Sequence, residues 1–155
     1  MSSPDLQSHV AAHPFFAGLN ERQTAILADC AELASFERDQ MLFKAGDPAK
    51  GFYLIESGSI AVEGGEEGHL VTIDTVRAGE PLGWSWIFEP YVCEYGARAI
   101  EPTTALFIDA VRLAEHRGGD LTLGHELFKR MSGVMVRRLN AARKKLVLAA
   151  SGSGS

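Results

Sequence analysis

Apolar residues in this chain follow three successive patterns. Between residues 20 and 33, Ile26, Leu27, Cys30 and Leu33 fall at helical spacing, and Asn20 with Gln23 three positions on forms a capping-box pair. This predicts a short amphipathic helix entered through His13-Pro14-Phe15-Phe16, with residues 1–12 as a flexible leader. From Ser35 onward, short apolar runs alternate with turn signals: Met41–Phe43, Phe52–Ile55, Ile60–Val62, His69–Val76, Cys93–Ala99 and Thr104–Ile108, broken by Ala45-Gly-Asp-Pro48, Ser57-Gly-Ser59 and a glycine loop over 64–68. Strands this short, joined by glycine turns, predict a β-barrel or sandwich over residues 35–110. The aromatic segment Pro81–Tyr91 interrupts the rhythm. After Asp109 the spacing turns helical again. Val111–Arg117 predicts a short helix ended by Gly118-Gly119, and Asp120 is placed to cap a long one over 120–150. Phe128, Met131, Met135, Leu139, Ala142, Leu146 and Ala149 step by three or four, a heptad-like seam for packing and for a second copy of the helix. Residues 151–155 read as a linker or tag remnant.

Composition supports one soluble globular unit over 13–150. Of 155 residues, 46% are hydrophobic and 23% charged, and the 16 glycines suit many tight turns. No apolar run approaches the roughly 18–20 residues that cross a bilayer, and the N-terminus shows no secretory pattern. Two cysteines, Cys30 and Cys93, are too few for a disulfide framework, which predicts a reduced, cytoplasmic setting. The net charge of −5 is uneven: all 20 acidic residues lie within 1–126, whereas 129–145 hold seven Lys or Arg and no acid. Cations near a helix C-terminus offset its dipole; the alternative is contact with an acidic partner.

Little in the chain points to chemistry. Histidines 9, 13, 69, 116 and 125 are scattered without ligand spacing, so no metal is expected. No nucleophile motif or phosphate-loop motif occurs, and Cys93 reads as a small core residue or a lone thiol. An enzyme is not expected.

The run Phe36-Glu-Arg-Asp-Gln-Met-Leu-Phe-Lys-Ala-Gly46-Asp-Pro-Ala-Lys-Gly51-Phe-Tyr-Leu-Ile-Glu-Ser-Gly58-Ser-Ile-Ala-Val62 resembles the first strands of the cyclic-nucleotide-binding domain of the Crp/Fnr type. Arg77-Ala-Gly79-Glu-Pro-Leu-Gly83 resembles the approach to that family's phosphate-binding cassette, and Arg98-Ala99 with Thr104–Asp109 the strands beyond it. The resemblance covers about residues 13–148. It implies a mainly β fold with flanking helices, a double-stranded β-helix (jelly-roll) barrel with an N-terminal helix and a long C-terminal dimerisation helix. It also implies glycine at 46, 51 and 58 for the turns joining strands.

The same resemblance places the ligand site at Gly83, Trp84, Ser85, Trp86, Cys93, Glu94 and Arg98. A family member presents a Glu to the ribose after the cassette glycine and an Arg to the phosphate about ten residues later. Here Trp84 occupies the first position and Cys93 or Glu94 the second, while Arg98 matches a later arginine of the strand. Indole cannot accept from a ribose hydroxyl, and a carboxylate facing a phosphate repels it. The expectation is a non-catalytic regulatory or sensor module with a degenerate site, not a high-affinity cAMP or cGMP binder. Trp84 and Trp86 either fill the site or stack on another small ligand, with Ser85, Tyr91 and Tyr95 as polar tips. No cofactor is required, though a nucleotide or other small ligand is compatible. The expected partner is a second copy through Phe128, Met131, Met135, Leu139, Ala142 and Leu146. The alternatives are a ligand-free subunit docking on a larger protein complex, or the effector domain of a truncated Crp-like regulator. With no room after the long helix for a helix-turn-helix, DNA binding is not expected of this chain alone.

Overall fold

The structure is a computed structural model that describes residues 3–66, 68–83, 85–86, 89–116 and 121–153. Helical structure begins earlier than the sequence reading expects. Ser3–Ala12 form helix α1 where a leader is predicted. Its own apolar pattern is weak, and its order comes from tertiary contact. Val10 is fully buried, and His9 Nδ1 lies 2.6 Å from Glu56 Oε2, 47 residues away. A single 3-10 turn, Pro14–Phe16, leads on to helix α2, Glu21–Asp29. The capping box is formed in full: Gln23 N–H donates to Asn20 Oδ1 at 2.8 Å, and Asn20 N–H to Gln23 Oε1 at 3.0 Å. The predicted buried stripe is corrected at its end. Leu27 and Cys30 are fully buried, but the helix stops at Asp29, so Leu33 lies on the first strand and is 40% exposed.

Among the described residues eight strands follow: β1 Ala31–Phe36, β2 Met41–Phe43, β3 Gly51–Ser57, β4 Ser59–Glu66, β5 His69–Arg77, β6 Pro81–Leu82, β7 Gly96–Ala99 and β8 Thr103–Asp109. The strand predicted from Cys93 starts only at Gly96. The strands form two four-stranded sheets in the orders β1-β8-β3-β6 and β2-β7-β4-β5. This is the expected jelly roll, but the sheets do not close into a barrel. Among the described residues each ends in strands with one neighbour: β6 is two residues long, begins with a proline, and pairs with β3, while β5 pairs with β4. Helix α3 spans Ala110–Glu115, with Asp109 as its cap.

Strand β3 is buried on both faces. Phe52 meets Phe15 and Trp86 on the side of the N-terminal layer. Ile55 joins Ile60, Val62, Val76, Leu82, Ala97, Ala99 and Ala105 in the core. Two glycines permit this packing for different reasons. Gly58 takes φ +93° between β3 and β4, and a Cβ there would overlap Thr103 Oγ1 and stand 2.6 Å from Pro102 O. Gly51 has an ordinary φ, but a Cβ would collide with the Ile108 carbonyl, so here the need is close approach of β3 to β8 rather than a turn.

The chain divides into two compact units, Met1–Asp120 and Leu121–Ser155. The second is helix α4, Leu121–Ser153, whose 33 residues span about 50 Å. It runs three residues past the predicted end at 150, through part of the glycine-serine tail. The predicted breaker Gly118-Gly119 and cap Asp120 lie outside the described residues. The predicted seam is split by burial. Met131 is 1% exposed and Met135 half-buried, whereas Phe128, Leu139, Ala142 and Leu146 are exposed. Among the described residues, no helix is long and apolar enough to cross a membrane.

His13 ties the helical layer to β3 in one protonation state. Its Nε2–H donates to Ile55 O at 2.9 Å while its Nδ1 accepts from Phe15 N–H at 3.2 Å, an arrangement only the neutral ring satisfies. Burial pushes its pKa below the ordinary 6.5, against the opposing pull of the Ile55 hydrogen bond and the Glu56 charge. The unfolded chain therefore takes up this proton first. His13's contribution is complete above the unfolded pKa and is lost as pH falls below it. The urea midpoint is expected to drop between about pH 7.5 and about pH 5, and to drop less in His13→Gln. Equal pH dependence in the two proteins would contradict this.

Candidate ligand cavity

Leu82, Tyr53 and Phe107 are register partners across β6, β3 and β8, so their side chains share one face of their sheet. Leu42 and Phe43 of β2 and Val62 of β4 contribute from the other sheet. These six residues line a cavity of about 370 Å³, toward the small end of the range typical of small-molecule sites. Tyr53 is its central ring. It stacks on Phe43 with centroids 6.2 Å apart and meets Phe107 at 4.9 Å and Phe36 at 6.0 Å. Burial, with lesser help from Cys93 and Glu32, raises its phenol pKa, so the hydroxyl stays protonated.

The mouth is built from two chain segments joined by backbone hydrogen bonds. Gly46 N–H donates to Cys93 O at 2.7 Å, Cys93 N–H to Asp47 O at 2.8 Å, and Ala49 N–H to Tyr91 O at 2.8 Å. This extends the β2–β7 pairing past the ends of both strands and brings Asp47 and Lys50 to the same cavity as Cys93, Glu94 and Tyr95. Gly83, held at φ +97°, and Ser85 complete the lining from the cassette segment.

Four of the residues expected at the site, Gly83, Ser85, Cys93 and Glu94, therefore come together around one cavity. Trp84 lies outside the described residues. Trp86 is not part of the lining: it stacks on Phe52 at 5.1 Å, and its buried Nε1 has no hydrogen-bond partner among the described residues. Arg98 is also outside the lining. Its Nε and Nη2 donate to the Glu63 carboxylate, the latter at 2.8 Å, and its Nη1 pairs with Asp39 Oδ1 at 2.8 Å. The Glu63 hydrogen bonds, followed by the Glu63 and Asp39 charges, hold this guanidinium still more firmly protonated despite some desolvation.

Sequence reasoning missed Tyr53, Phe107, Asp47 and Lys50. Only the alternation along β3 and β8 could have signalled the two aromatics; Asp47 and Lys50 look like ordinary turn residues.

Neither cysteine is primed as a nucleophile. Burial, with Asp47 adding to it, raises the Cys93 pKa, and burial chiefly pushes Cys30 up to about 11. Among the described residues, no three His, Cys, Asp or Glu side chains cluster as metal donors. Both thiols are expected to react with Ellman's reagent at pH ~8 at least about tenfold more slowly in native than in urea-unfolded protein. A fast native phase equal to one thiol would identify Cys93 as activated.

The sequence profile of the cyclic nucleotide-binding domain family matches residues 33–116. Among solved structures, a candidate cyclic nucleotide-binding protein from Geobacter metallireducens is 26% identical with a TM-score of 0.73, over 90% of this chain and 98% of that one. The N-terminal domain of a transcriptional regulator from Streptomyces coelicolor is 20% identical with a TM-score of 0.67, over 85% and 93%. A c-di-GMP responsive global regulator from Xanthomonas campestris is 18% identical with a TM-score of 0.72, over 84% and 65%. The latter two likenesses are of fold. Comparison with curated proteins gives no match.

Proposed function

The chain belongs to the cyclic nucleotide-binding domain family, and on that footing we propose that it is a non-catalytic regulatory module whose cavity takes a small ligand but does not hold cAMP or cGMP tightly. The observation that carries this is the disposition of charge. Arg98 is committed to Glu63 and Asp39 away from the cavity, while Glu94 lines it. A cyclic phosphate would lose the bidentate, charge-assisted pair that an arginine provides and meet a carboxylate instead. The protonated, buried thiols support the non-catalytic part of the reading.

Thermal shift tests it directly. A ligand at ~100 times its Kd stabilises the native state by about 2.7 kcal/mol, several degrees for a domain of this size. Addition of about 1 mM cAMP or cGMP is expected to move the midpoint of the native protein by less than about 1 °C, with Glu94→Arg responding more strongly than the parent. A parent shift of several degrees would overturn the reading.

The partner in this reading is a second copy of the chain, through the outer half of α4. From residue 139 to 151 every residue of the helix is exposed, including Leu139, Leu146, Val147 and Leu148. An apolar stripe of this kind calls for cover, and a like helix supplies it by knobs-into-holes packing. Sedimentation at micromolar concentration is expected to give a dimer, and Leu139→Glu with Leu146→Glu a monomer. A native monomer at high micromolar concentration would remove this part of the proposal.

A further inference from the structure

Three side chains set the charge of the cavity. Asp47 and Glu94 are acidic lining residues, and Lys50 is the one lysine among the described residues of the lining, so two acidic residues and one basic residue border the cavity. Asp47 Oδ2 accepts from Lys44 N–H at 2.9 Å, which orients that carboxylate without cancelling its charge. Among the described residues neither Glu94 nor Lys50 has an ion-pair partner. Below this rim the lining turns aromatic, with Tyr53 in contact with both Phe43 and Phe107. The faces of such rings carry the negative lobes of their quadrupoles and attract cations, and Tyr95 at the mouth adds another. An anion entering here meets net negative charge and electron-rich rings together. An ammonium is favoured by the acidic rim, and a flat apolar body suits the aromatic floor.

Taking the cavity as a ligand site, as the proposed function does, we propose that it binds an organic cation: a primary amine on a flat aromatic ring, the ring against Phe43, Tyr53 and Phe107 and the ammonium toward Asp47 and Glu94. Lys50 acts against this ligand and sets an upper limit on its affinity. Exclusion of phosphate esters is then one side of a selectivity for positive charge.

Three probes sharing one ring separate charge from shape: tryptamine, indole and indole-3-acetate, each titrated calorimetrically into the full chain. Tryptamine is expected to bind most tightly and indole-3-acetate least. Glu94→Gln is expected to weaken tryptamine about fivefold while leaving indole unchanged, and Lys50→Met to strengthen tryptamine by a similar factor, as befits charges at a solvated rim. Both residues are exposed, and ligand-free melting midpoints show whether the variants are folded. Indole-3-acetate binding as tightly as tryptamine, or tryptamine binding indifferent to Glu94→Gln, overturns the inference. Failure of all three probes to bind also overturns it, leaving the regulatory reading intact. Micromolar binding of cAMP overturns both.

Discussion

Where the two sheets meet over Ala97, Ala99 and Ala105, short side chains leave room for Ile55, Ile60 and Val76 to fill the space between them. Contact there is dense, and dispersion with apolar burial holds the sheets face to face. Val62 and Leu82 belong both to this core and to the cavity wall, marking where dense packing ends. One step further along β3, the large rings of Tyr53, Phe43 and Phe107 take over, and between them the space is not filled. The cavity is thus a consequence of residue size along two packed sheets. The glycines at 51 and 58 matter because they allow β3 its close approach to β8 and its tight turn into β4.

With the cavity's place settled by packing, the selectivity proposed for it depends on which charges reach it. Arg98 and Glu63 project from β7 and β4 and satisfy each other, with Asp39 completing the arrangement. A guanidinium so engaged would have to exchange two carboxylate partners for a ligand. At the mouth, the backbone ladder joining residues 46–49 to 91–93 brings Asp47 and Glu94 to one opening. In this member of the cyclic nucleotide-binding domain family, the cavity lining includes Asp47, Glu94 and Lys50.

Features set by neighbours in sequence were legible in advance. The Asn20–Gln23 capping box, the strands β2 to β5 and β8, and the long C-terminal helix all rest on local pattern. Features set by distant contacts were not. Helix α1 depends on Val10 burial and on Glu56; His13 is locked by Ile55, 42 residues on; and the partners of Arg98 lie 35 and 59 residues before it. Closure of the barrel is not legible for the same reason, since alternation predicts strands but not which further strands β5 and β6 pair with. At the site, spacing alone placed Cys93 and Glu94 beside the cassette segment, and both line the cavity. The aromatic floor could not be read in this way, because it joins β2, β3 and β8 across the fold.

Arg98 pairs with Glu63 and Asp39, and the proposed function requires that it keep them when a nucleotide is offered. The Nε–H resonance of Arg98 in a nitrogen-15 NMR spectrum reports this directly. It is expected to be protected from exchange by the Glu63 hydrogen bonds and to stay in place as cAMP is raised to about 1 mM. A saturable shift of that resonance at micromolar cAMP, with loss of its protection, would show the guanidinium leaving Glu63 for a phosphate and would contradict the account.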